Sequence, residues 1–376
     1  MIKLVYAHDG VSLYDELFIN SLRDKYDLRV LTFHPTPGHI PQGIEIIKMP
    51  DLVPATNLHP FEGARKHILT PIRAFTFKKY ASGIKPDVLI GCWATTYGFY
   101  AAYSNLHPFV LFVWGSDVLI FPWKFVPLRT LVRYALKKAD VVLVDSDVQK
   151  KAVIRLGCDI NKILSFPWVK LNGFESNVKQ KSEVRKELGW TEDDIVIISM
   201  RDHKPIYGVN YLVEAIPFIL RQEPKAKFLI LGEGKLTSQF KQRVRKYVVQ
   251  GYVKFLGRVP HRDVAKYLNA ADIYVSTSFS DGTSASLLEA MACSTTPIVT
   301  AIPGNKEWIQ DGWNGYLTPT GNVNQLAQKI VFLAKNEETR QKMAKNALEI
   351  LRVKVNWQRN IATLNDAIRG MISQKS

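Results

Sequence analysis

Cysteine is scarce in this sequence, and the few cysteines form no recognisable set. Only three of the 376 residues are cysteine, at positions 92, 158 and 293, an odd number at wide spacing. They offer neither a disulfide framework nor a Cys-x-x-Cys pair for metal binding or redox chemistry. Because disulfides are rare in reducing compartments, this composition favours a cytoplasmic protein.

Long apolar runs and leader-like segments are missing as well. Met1 leads directly into an apolar, strand-like run without a preceding basic segment, so the sequence indicates no secretory signal peptide. The most apolar stretch, residues 108–126, is interrupted by Gly115-Ser116-Asp117 and contains two prolines. Such interruptions argue against a helix that spans a membrane.

The motifs of several common ligand classes are also absent. There is no metal-spaced Cys/His set, no aromatic strand typical of RNA-binding sheets and no Gly-x-x-Gly clamp, so we expect no nucleic-acid partner. No Gly-x-Gly-x-x-Gly follows a strand with an acidic residue beyond it, which argues against a dehydrogenase. What the chain does have is a net charge of +16. Such a basic protein is expected to meet phosphorylated ligands or an anionic membrane surface.

Short β-rich runs alternate with helical patterns along the whole chain. Several runs are apolar on both faces, as buried parallel strands are, and the alternation predicts an α/β protein with two doubly wound domains. A polar linker divides them, so we predict an N-terminal domain over 1–170, a C-terminal domain over 171–355 and a final helix over 356–376. Ligands of such sheets bind beyond the carboxyl ends of the strands, and loops that directly follow strands are therefore the functional candidates.

One such loop lies in the stretch SFSDGTSASLLEAMAC, residues 278–293. A helix is predicted to begin at Ser284 or Ala285, and the N–H groups of its first turn form an anion site. Asp281 and Glu289 can accept hydrogen bonds from hydroxyl groups on either side. An anion and several hydroxyls together suit a sugar phosphate. The alternative is that Asp281 or Ser284 only caps the helix and that Glu289 is solvated.

This stretch resembles the signature of the retaining, nucleotide-sugar-dependent glycosyltransferases of family 4. That signature is a glutamate, seven residues, and a second glutamate followed by Ala-Met-Ala and a small residue. Glu289 to Cys293 matches the second half, and Asp281 stands where the first glutamate usually does. The resemblance continues in order over residues 190–320. It implies the GT-B fold, in which two Rossmann-like domains face each other across a cleft and the last helix returns to the N-terminal domain.

The resemblance also implies roles for residues of the C-terminal domain. Glu289 would bind the ribose hydroxyls of a nucleotide sugar, and Asp281 the hydroxyls of the transferred sugar. Arg201 would clamp the diphosphate; Tyr207 replaces the family's lysine, so Lys204 is the substitute candidate. The nucleotide sugar is a co-substrate, and no metal or other cofactor is expected. The other implied donor-binding positions are Gly232, Gly257, Arg258, Val259, Gly282, Thr283, Ser284, Ala285, Ser286 and Leu287.

In the N-terminal domain the resemblance rests on shorter fragments. Asp9, Gly10 and Val11 follow the first predicted strand, like the family's glycine-rich loop, but with one glycine instead of two. The alternative is that Asp9 and His8 cap the next helix. Trp114 stands at a histidine position of the family, and Asp117 matches its aspartate. Since tryptophan cannot transfer a proton, Trp114 is expected either to stack on a sugar or to pack in the core.

Aromatic and basic residues are interleaved near the middle of this domain, as on interfacial membrane patches. These residues are Phe121, Trp123 and Phe125 with Lys124, Arg129, Arg133, Lys137 and Lys138. Residues 71–85 have a similar composition. The patch indicates contact with an anionic membrane and a lipid-linked acceptor; the alternatives are ordinary amphipathic packing and a cell-envelope glycan acceptor.

An Asp-Ser-Asp triplet, Asp145 to Asp147, looks like the manganese triplet of inverting transferases of another fold. Here it closes a predicted strand, so we interpret it as a helix cap or loop and predict no metal site. The sequence as a whole predicts a cytoplasmic, peripherally membrane-bound, retaining hexosyltransferase. Two rival hypotheses are a nucleotide-sugar epimerase or hydrolase of the same fold, and a non-catalytic, membrane-associated relative. The departures at Asp281, Tyr207 and Trp114 favour the second rival.

Overall fold

The computed structural model describes residues 1–9, 13–35, 40–51 and 70–374. Within it the chain forms two compact units. The first unit comprises Met1–Trp168 together with Trp357–Ser376, and the second comprises Val169–Asn356. The chain thus leaves the first unit after Trp168 and rejoins it at the last helix.

The described part of the first unit contains a seven-stranded sheet in which all the paired strands are parallel. The strand order is β3-β2-β1-β4-β5-β6-β7. The strands are β1 Lys3–Ala7, β2 Asp27–Thr32, β3 Glu45–Lys48, β4 Val88–Cys92, β5 Phe109–Phe112, β6 Val141–Val144 and β7 Ile163–Ser165. The helices of this unit are Leu13–Leu22, Thr70–Ile84, Tyr97–Ser104, Ser116–Leu119, Phe121–Lys124, Val126–Lys138, Asp147–Arg155 and Trp357–Ser373.

The second unit repeats the design with six parallel strands in the order β10-β9-β8-β11-β12-β13. The strands are β8 Ile195–Ser199, β9 Ala226–Leu231, β10 Val253–Gly257, β11 Ile273–Ser276, β12 Thr296–Thr300 and β13 Tyr316–Thr318. The helices are Val178–Glu187, Val209–Gln222, Thr237–Arg243, Arg245–Val249, His261–Ala270, Ala285–Ala292, Pro303–Lys306, Val323–Lys335 and Glu337–Lys354. Asn336 separates the last two of these helices.

Each sheet is covered on both faces, because its central strands are apolar on both sides. The first sheet lies between two buried clusters, one around Leu89, Phe77 and Tyr100 and the other around Tyr6 and Phe18. Two further clusters cover the two faces of the second sheet. This is the doubly wound arrangement that near-continuous apolar strands predict, and the predicted fold class is confirmed.

The last helix, Trp357–Ser373, packs on the first sheet, as predicted. Its Ile361, Leu364 and Ile368 are buried in the cluster around Tyr6. The Tyr26 hydroxyl donates a hydrogen bond of 2.8 Å to Asn365 Oδ1 on the same helix. Among the described residues, no helix is both long enough and apolar enough to cross a membrane.

Candidate functional site

Four predicted site loops lie together at one edge of the second sheet. They follow β8, β9, β10 and β11, which are neighbours in the sheet. Because these strands are parallel, their carboxyl ends meet at the same edge, next to the point where the strand order reverses. The loops carry Arg201, Gly232, Arg258 and Asp281. Arg201 and Asp281, which are 80 positions apart in sequence, are therefore in direct contact there.

Arg201 is the centre of this group. Its Nη2 lies 2.5 Å from Asp281 Oδ2, and its Nη1 lies 3.1 Å from Ser284 Oγ and 3.2 Å from Ser286 Oγ. The guanidinium also stacks over the ring of Tyr207, 4.2 Å from the ring centroid. The residue predicted to clamp a diphosphate and the residue predicted to hold the sugar are thus partners in one network.

The start of the helix Ala285–Ala292 lies within this network. Ser284 is its N-cap by position, but the Ser284 side chain makes no capping hydrogen bond to this helix. Its hydroxyl lies instead against Arg201. The Tyr274 hydroxyl lies 2.8 Å from Ser286 Oγ, and burial raises the pKa of Tyr274. A helix N-terminus beside a guanidinium is a strong site for an anion.

Glu289 is not a solvated residue of the helix surface. Its side chain is only 6% exposed, and its Oε1 lies 2.7 Å from His261 Nε2. His261 begins the helix that follows β10 and also packs against the ring of Phe174. Sequence reasoning missed His261, since nothing in the spacing of the two residues indicates their contact. The solvated alternative for Glu289 is excluded.

Glycines allow the loops after β8, β9 and β10 to pack backbone against backbone. Gly232 has φ +98°, and a Cβ atom there would collide with the carbonyl of Arg201. The Gly232 amide donates to the Gly257 carbonyl at 2.8 Å. A Cβ atom on Gly304 would collide with the carbonyls of Asp281 and Gly282, so the loop after β12 also closes on this region.

Two further predicted cations converge on Asp202, next to Arg201. Lys204 Nζ lies 2.8 Å from Asp202 Oδ2, and Arg258 Nη2 lies 3.8 Å from Asp202 Oδ1. Their side chains are 41% and 71% exposed, so these pairs contribute little to stability and can exchange for a ligand at small cost. Val259 is half-buried and packs against the core.

His203 is a second residue that the sequence did not indicate. It is fully buried, and its Nδ1 lies 2.8 Å from Thr237 Oγ1. The same hydroxyl oxygen accepts a hydrogen bond of 2.9 Å from the Gly234 amide. Burial lowers the pKa of His203. The imidazole therefore ties the loop after β9 to the loop after β8, which carries Arg201.

In the first unit, the predicted residues after β1 and β5 have structural partners. Asp9 Oδ1 accepts hydrogen bonds from the hydroxyls of Tyr97 and Thr32 and from the His34 amide. Gly10 and Val11 lie outside the described residues. Asp117 is fully buried, and its carboxylate accepts only backbone N–H bonds among those described, from residues 94, 114 and 115. Asp117 therefore holds loops in place.

Trp114 is half-buried at the end of β5. Its ring stacks on His8 with a centroid distance of 5.1 Å and an interplanar angle of 22°. The Asp-Ser-Asp triplet ends β6, and Ser146 Oγ caps the next helix by accepting a bond from the Gln149 amide, 3.4 Å away. In the part of the chain that the structure describes, no group of three or more His, Cys, Asp or Glu residues is arranged to hold a metal ion.

The interleaved aromatic and basic residues separate into packed and exposed members. The guanidinium groups of Arg129 and Arg155 both lie over the ring of Trp123, and Trp123 Nε1 donates to the Val118 carbonyl at 3.0 Å. Phe121 is half-buried. Phe125, in contrast, is 50% exposed. Trp123 is thus a packed residue rather than an outward-facing one.

Two family models match the chain. The model described as glycosyl transferases group 1 matches residues 180–350, and the model described as glycosyl transferase 4-like matches residues 3–146. Among curated proteins, N-acetyl-alpha-D-glucosaminyl L-malate synthase of Bacillus anthracis is 28% identical over 252 residues, which cover 65% of this chain and 61% of that protein. The chain aligns with less than two thirds of the length of the first curated relatives it matches.

Two solved structures are similar over their whole length. Anabaena HepE in complex with UDP has a TM-score of 0.75 at 19% identity, with 100% of each chain covered. Sucrose-phosphate synthase from Thermosynechococcus elongatus has a TM-score of 0.79 at 17% identity, again with 100% of each chain covered. At these identities the likeness shows the fold, which is GT-B.

Proposed function

This chain belongs to the glycosyl transferases of group 1, and we propose that it transfers a sugar from a nucleoside diphosphate sugar to an acceptor with retention of anomeric configuration. The observation that carries this proposal is the network of Arg201, Asp281, Ser284 and Ser286 at the start of the helix Ala285–Ala292. It combines a cation, a helix N-terminus and a carboxylate within hydrogen-bond distance of one another. These groups match the phosphate and hydroxyl groups of a nucleotide sugar.

The donor would occupy this site through groups that already converge on it. Arg201 and the helix start would hold the diphosphate, with Lys204 and Arg258 as exposed cations beside it. Glu289, held by His261, would accept hydrogen bonds from the ribose hydroxyls. Binding of the diphosphate requires Arg201 to share the donors that it now gives to Asp281. Asp281 is then available to the hydroxyls of the sugar.

Catalysis would follow from stabilising the charge of the leaving group. As the bond between the sugar and the diphosphate breaks, negative charge grows on the phosphate oxygen, and the positioned guanidinium and helix dipole lower that barrier. The acceptor hydroxyl attacks on the face that the diphosphate leaves and passes its proton to the departing phosphate oxygen. Between departure of the diphosphate and attack by the acceptor, the sugar has oxocarbenium character. This scheme uses cationic side chains where other transferases use a metal ion.

A donor panel tests this function. Thermal denaturation is followed with UDP-, GDP- and ADP-sugars, and the UDP-sugars come first because HepE, of the same fold, was solved with UDP. The nucleotide sugar that raises the midpoint temperature of unfolding is then supplied together with a membrane and envelope-glycan extract. The anomeric configuration of the product is determined by NMR. Transfer with retention supports the proposal. Products from the donor alone would indicate an epimerase or hydrolase, and no binding of any nucleotide sugar would indicate a non-catalytic relative.

We also propose that the first unit docks on the anionic cytoplasmic leaflet. Three of its helices, Thr70–Ile84, Tyr97–Ser104 and Val126–Lys138, pack side by side and contain no acidic residue. Side chains bridge neighbouring helices, with Lys78 over the Tyr103 ring and Phe99 against the Tyr134 ring.

The exposed residues of these helices, together with Lys124 and Phe125 directly before the third, include apolar and basic side chains. The exposed apolar side chains are Ile72, Phe75, Phe125 and Val126. The exposed basic side chains are Lys78, Lys79, Lys124, Arg133 and Lys137. Apolar groups that enter the interface, together with cations that meet anionic headgroups, give the composition expected of a peripheral membrane face.

Vesicle sedimentation tests the membrane proposal. We expect binding to phosphatidylcholine vesicles that contain phosphatidylglycerol, weaker binding at high salt, and no binding to pure phosphatidylcholine. The double variant Lys78→Glu/Arg133→Glu should lose about tenfold or more in affinity, since each cation contributes about 1 kcal/mol. The matched control, Arg245→Glu/Lys246→Glu in the second unit, should bind like the wild type. Equal loss in both variants would show a general effect of net charge.

A further inference from the structure

Three rings lie nearly parallel beyond the carboxyl ends of β1, β4 and β5. Trp114 stacks on His8, and Trp93 stacks on Trp114 with a centroid distance of 6.5 Å and an interplanar angle of 16°. Both tryptophans are half-buried. Trp114 is stacked against both other rings, whereas Trp93 stacks only on Trp114 among the described rings and ends the stack. The carboxyl ends of parallel strands are where such sheets bind ligands, so Trp93 ends this stack at a candidate binding edge of the first sheet.

Trp93 is held in an unfavourable backbone conformation. Its φ is +62°, in the left-handed region that bulky side chains rarely adopt. Hydrogen bonds fix it there: its amide donates to the Phe112 carbonyl, and its carbonyl accepts from the amides of Thr96 and Gly98, each at 3.0 Å. A strained residue that its surroundings hold so firmly is more typical of functional sites than of ordinary packing.

One buried carboxylate positions both tryptophans. Asp117 Oδ2 accepts a hydrogen bond of 2.8 Å from the amide of Ala94, the residue after Trp93. Asp117 Oδ1 accepts bonds from the amides of Trp114 and Gly115, at 3.0 and 2.8 Å. Burial of a carboxylate is costly. Here the buried group joins the loop after β4 to the loop after β5 and so fixes the two rings relative to each other.

We propose that Trp93, backed by Trp114, forms a platform on which a pyranose ring of the acceptor stacks. The C–H groups on one face of a pyranose carry partial positive charge and match the negative face of an aromatic ring. This inference rests on the proposed function, in which the nucleotide sugar binds the second unit and, as the family resemblance implies, the first unit receives the acceptor. It makes the acceptor a sugar-bearing molecule, whether free glycan or glycolipid, and not a simple lipid alcohol.

Saturation-transfer NMR tests the platform without the need to know the natural acceptor. The probes are methyl β-D-glucopyranoside, whose ring has an unbroken C–H face, and D-glucitol, which has similar hydroxyls but no ring. We expect saturation transfer to the glucoside and not to glucitol in the wild type. We expect it to be lost in Trp93→Ala, and in Trp93→Asn, a second variant whose side chain tolerates a positive φ. Trp357→Phe is the matched control, because its ring contacts the same hydrophobic cluster but meets Trp168 edge-on.

The transfer assay supplies the second readout. In Trp93→Asn the KM for a sugar-bearing acceptor should rise about tenfold, with the thermal shift by the donor nucleotide unchanged. Equal glucoside binding and equal KM in wild type and both Trp93 variants would overturn the platform and leave the proposed transferase intact. Failure of the wild type to bind the glucoside would also overturn it. Conversely, a protein that binds the glucoside through Trp93 but neither binds nor uses any nucleotide sugar would refute the proposed function alone.

Discussion

Replacement of Arg201 by alanine is the most informative single change in the donor site. The contacts it removes include the ion pair with Asp281 and the hydrogen bonds to the hydroxyls of Ser284 and Ser286. A hydrogen bond to a charged group contributes about 1.5–3 kcal/mol to stability. The Asp281 side chain is 21% exposed, so water replaces part of the lost contact and we expect a net loss of about 1–2 kcal/mol. The variant should therefore remain folded.

The catalytic loss should be larger than the stability loss. Removal of one positioned donor to a developing oxyanion costs about 2.7–4 kcal/mol, or about 10²–10³ in kcat. The assay is initial-rate transfer from the nucleotide sugar that the thermal panel identifies, with urea unfolding measured in parallel. Arg201→Lys should be intermediate, since lysine keeps the charge but loses the planar fork. A rate near that of the wild type for Arg201→Ala would refute the assignment of Arg201.

Replacement of Asp281, the partner of Arg201, should affect the affinity for UDP and the transfer rate differently. Asp281→Ala releases the guanidinium, so UDP, which has no sugar, should bind at least as tightly as to the wild type. Transfer should nevertheless fall, because the hydroxyls of the sugar lose their carboxylate. Calorimetric titration with UDP and the rate assay separate the two effects. Loss of both UDP affinity and transfer would contradict the assigned roles.

Five further predictions concern other residues of the second unit. Glu289→Ala should abolish most transfer, because the ribose hydroxyls lose the carboxylate that binds them, and near-wild-type rates would reject that role. His261→Ala should raise the KM for the donor and leave kcat nearly unchanged. Gly232→Ala should lower the free energy of unfolding by about 1–3 kcal/mol, because alanine is strained at positive φ and its Cβ would collide with the Arg201 carbonyl. Urea denaturation measures this loss. Arg185→Leu should cost about 3–5 kcal/mol, because it leaves Asp272 buried without its 2.6 Å partner. Burial opposes ionisation of Asp272, but Lys181 and Arg185 hold its pKa below its usual value of 3.8. The ionised Asp272 should therefore stabilise the fold above about pH 4, and this stabilisation should disappear as the pH falls through the lowered pKa. Urea denaturation at a series of pH values measures the decline, which Asp272→Asn should not show.

Much of the fold could be predicted because the signals are local. A strand buried on both faces needs an apolar run, and VLIGC at β4 and TPIVT at β12 show this directly. The local sequence pattern likewise indicates the end of a helix at Asn336 and the start of the final helix at Trp357. The positions of Arg201 and Asp281 in loops after strands were also accessible, because each follows an apolar run and precedes a turn or helix.

The contacts between side chains were not accessible in the same way. Nothing in the sequence joins His261 to Glu289, or Trp93 to Trp114, because each pair comes together only when separate loops meet at a sheet edge. Trp123 shows the converse case. Its neighbours in sequence indicate a membrane anchor, yet its ring packs against two arginine side chains, one of them from the helix Asp147–Arg155.

The sequence by itself determined the α/β class and the family, since periodicity and an ordered motif are properties of consecutive residues, and the return of the C-terminal helix followed from the family resemblance. Only the tertiary structure decided what each charged or aromatic side chain faces. The parallel order β10-β9-β8-β11 brings four loops to one edge and pairs Arg201 with Asp281. The adjacency of β4 and β5 lets the buried carboxylate of Asp117 hold Trp93 and Trp114 in register. Strand order depends on long-range packing, and no local pattern encodes it.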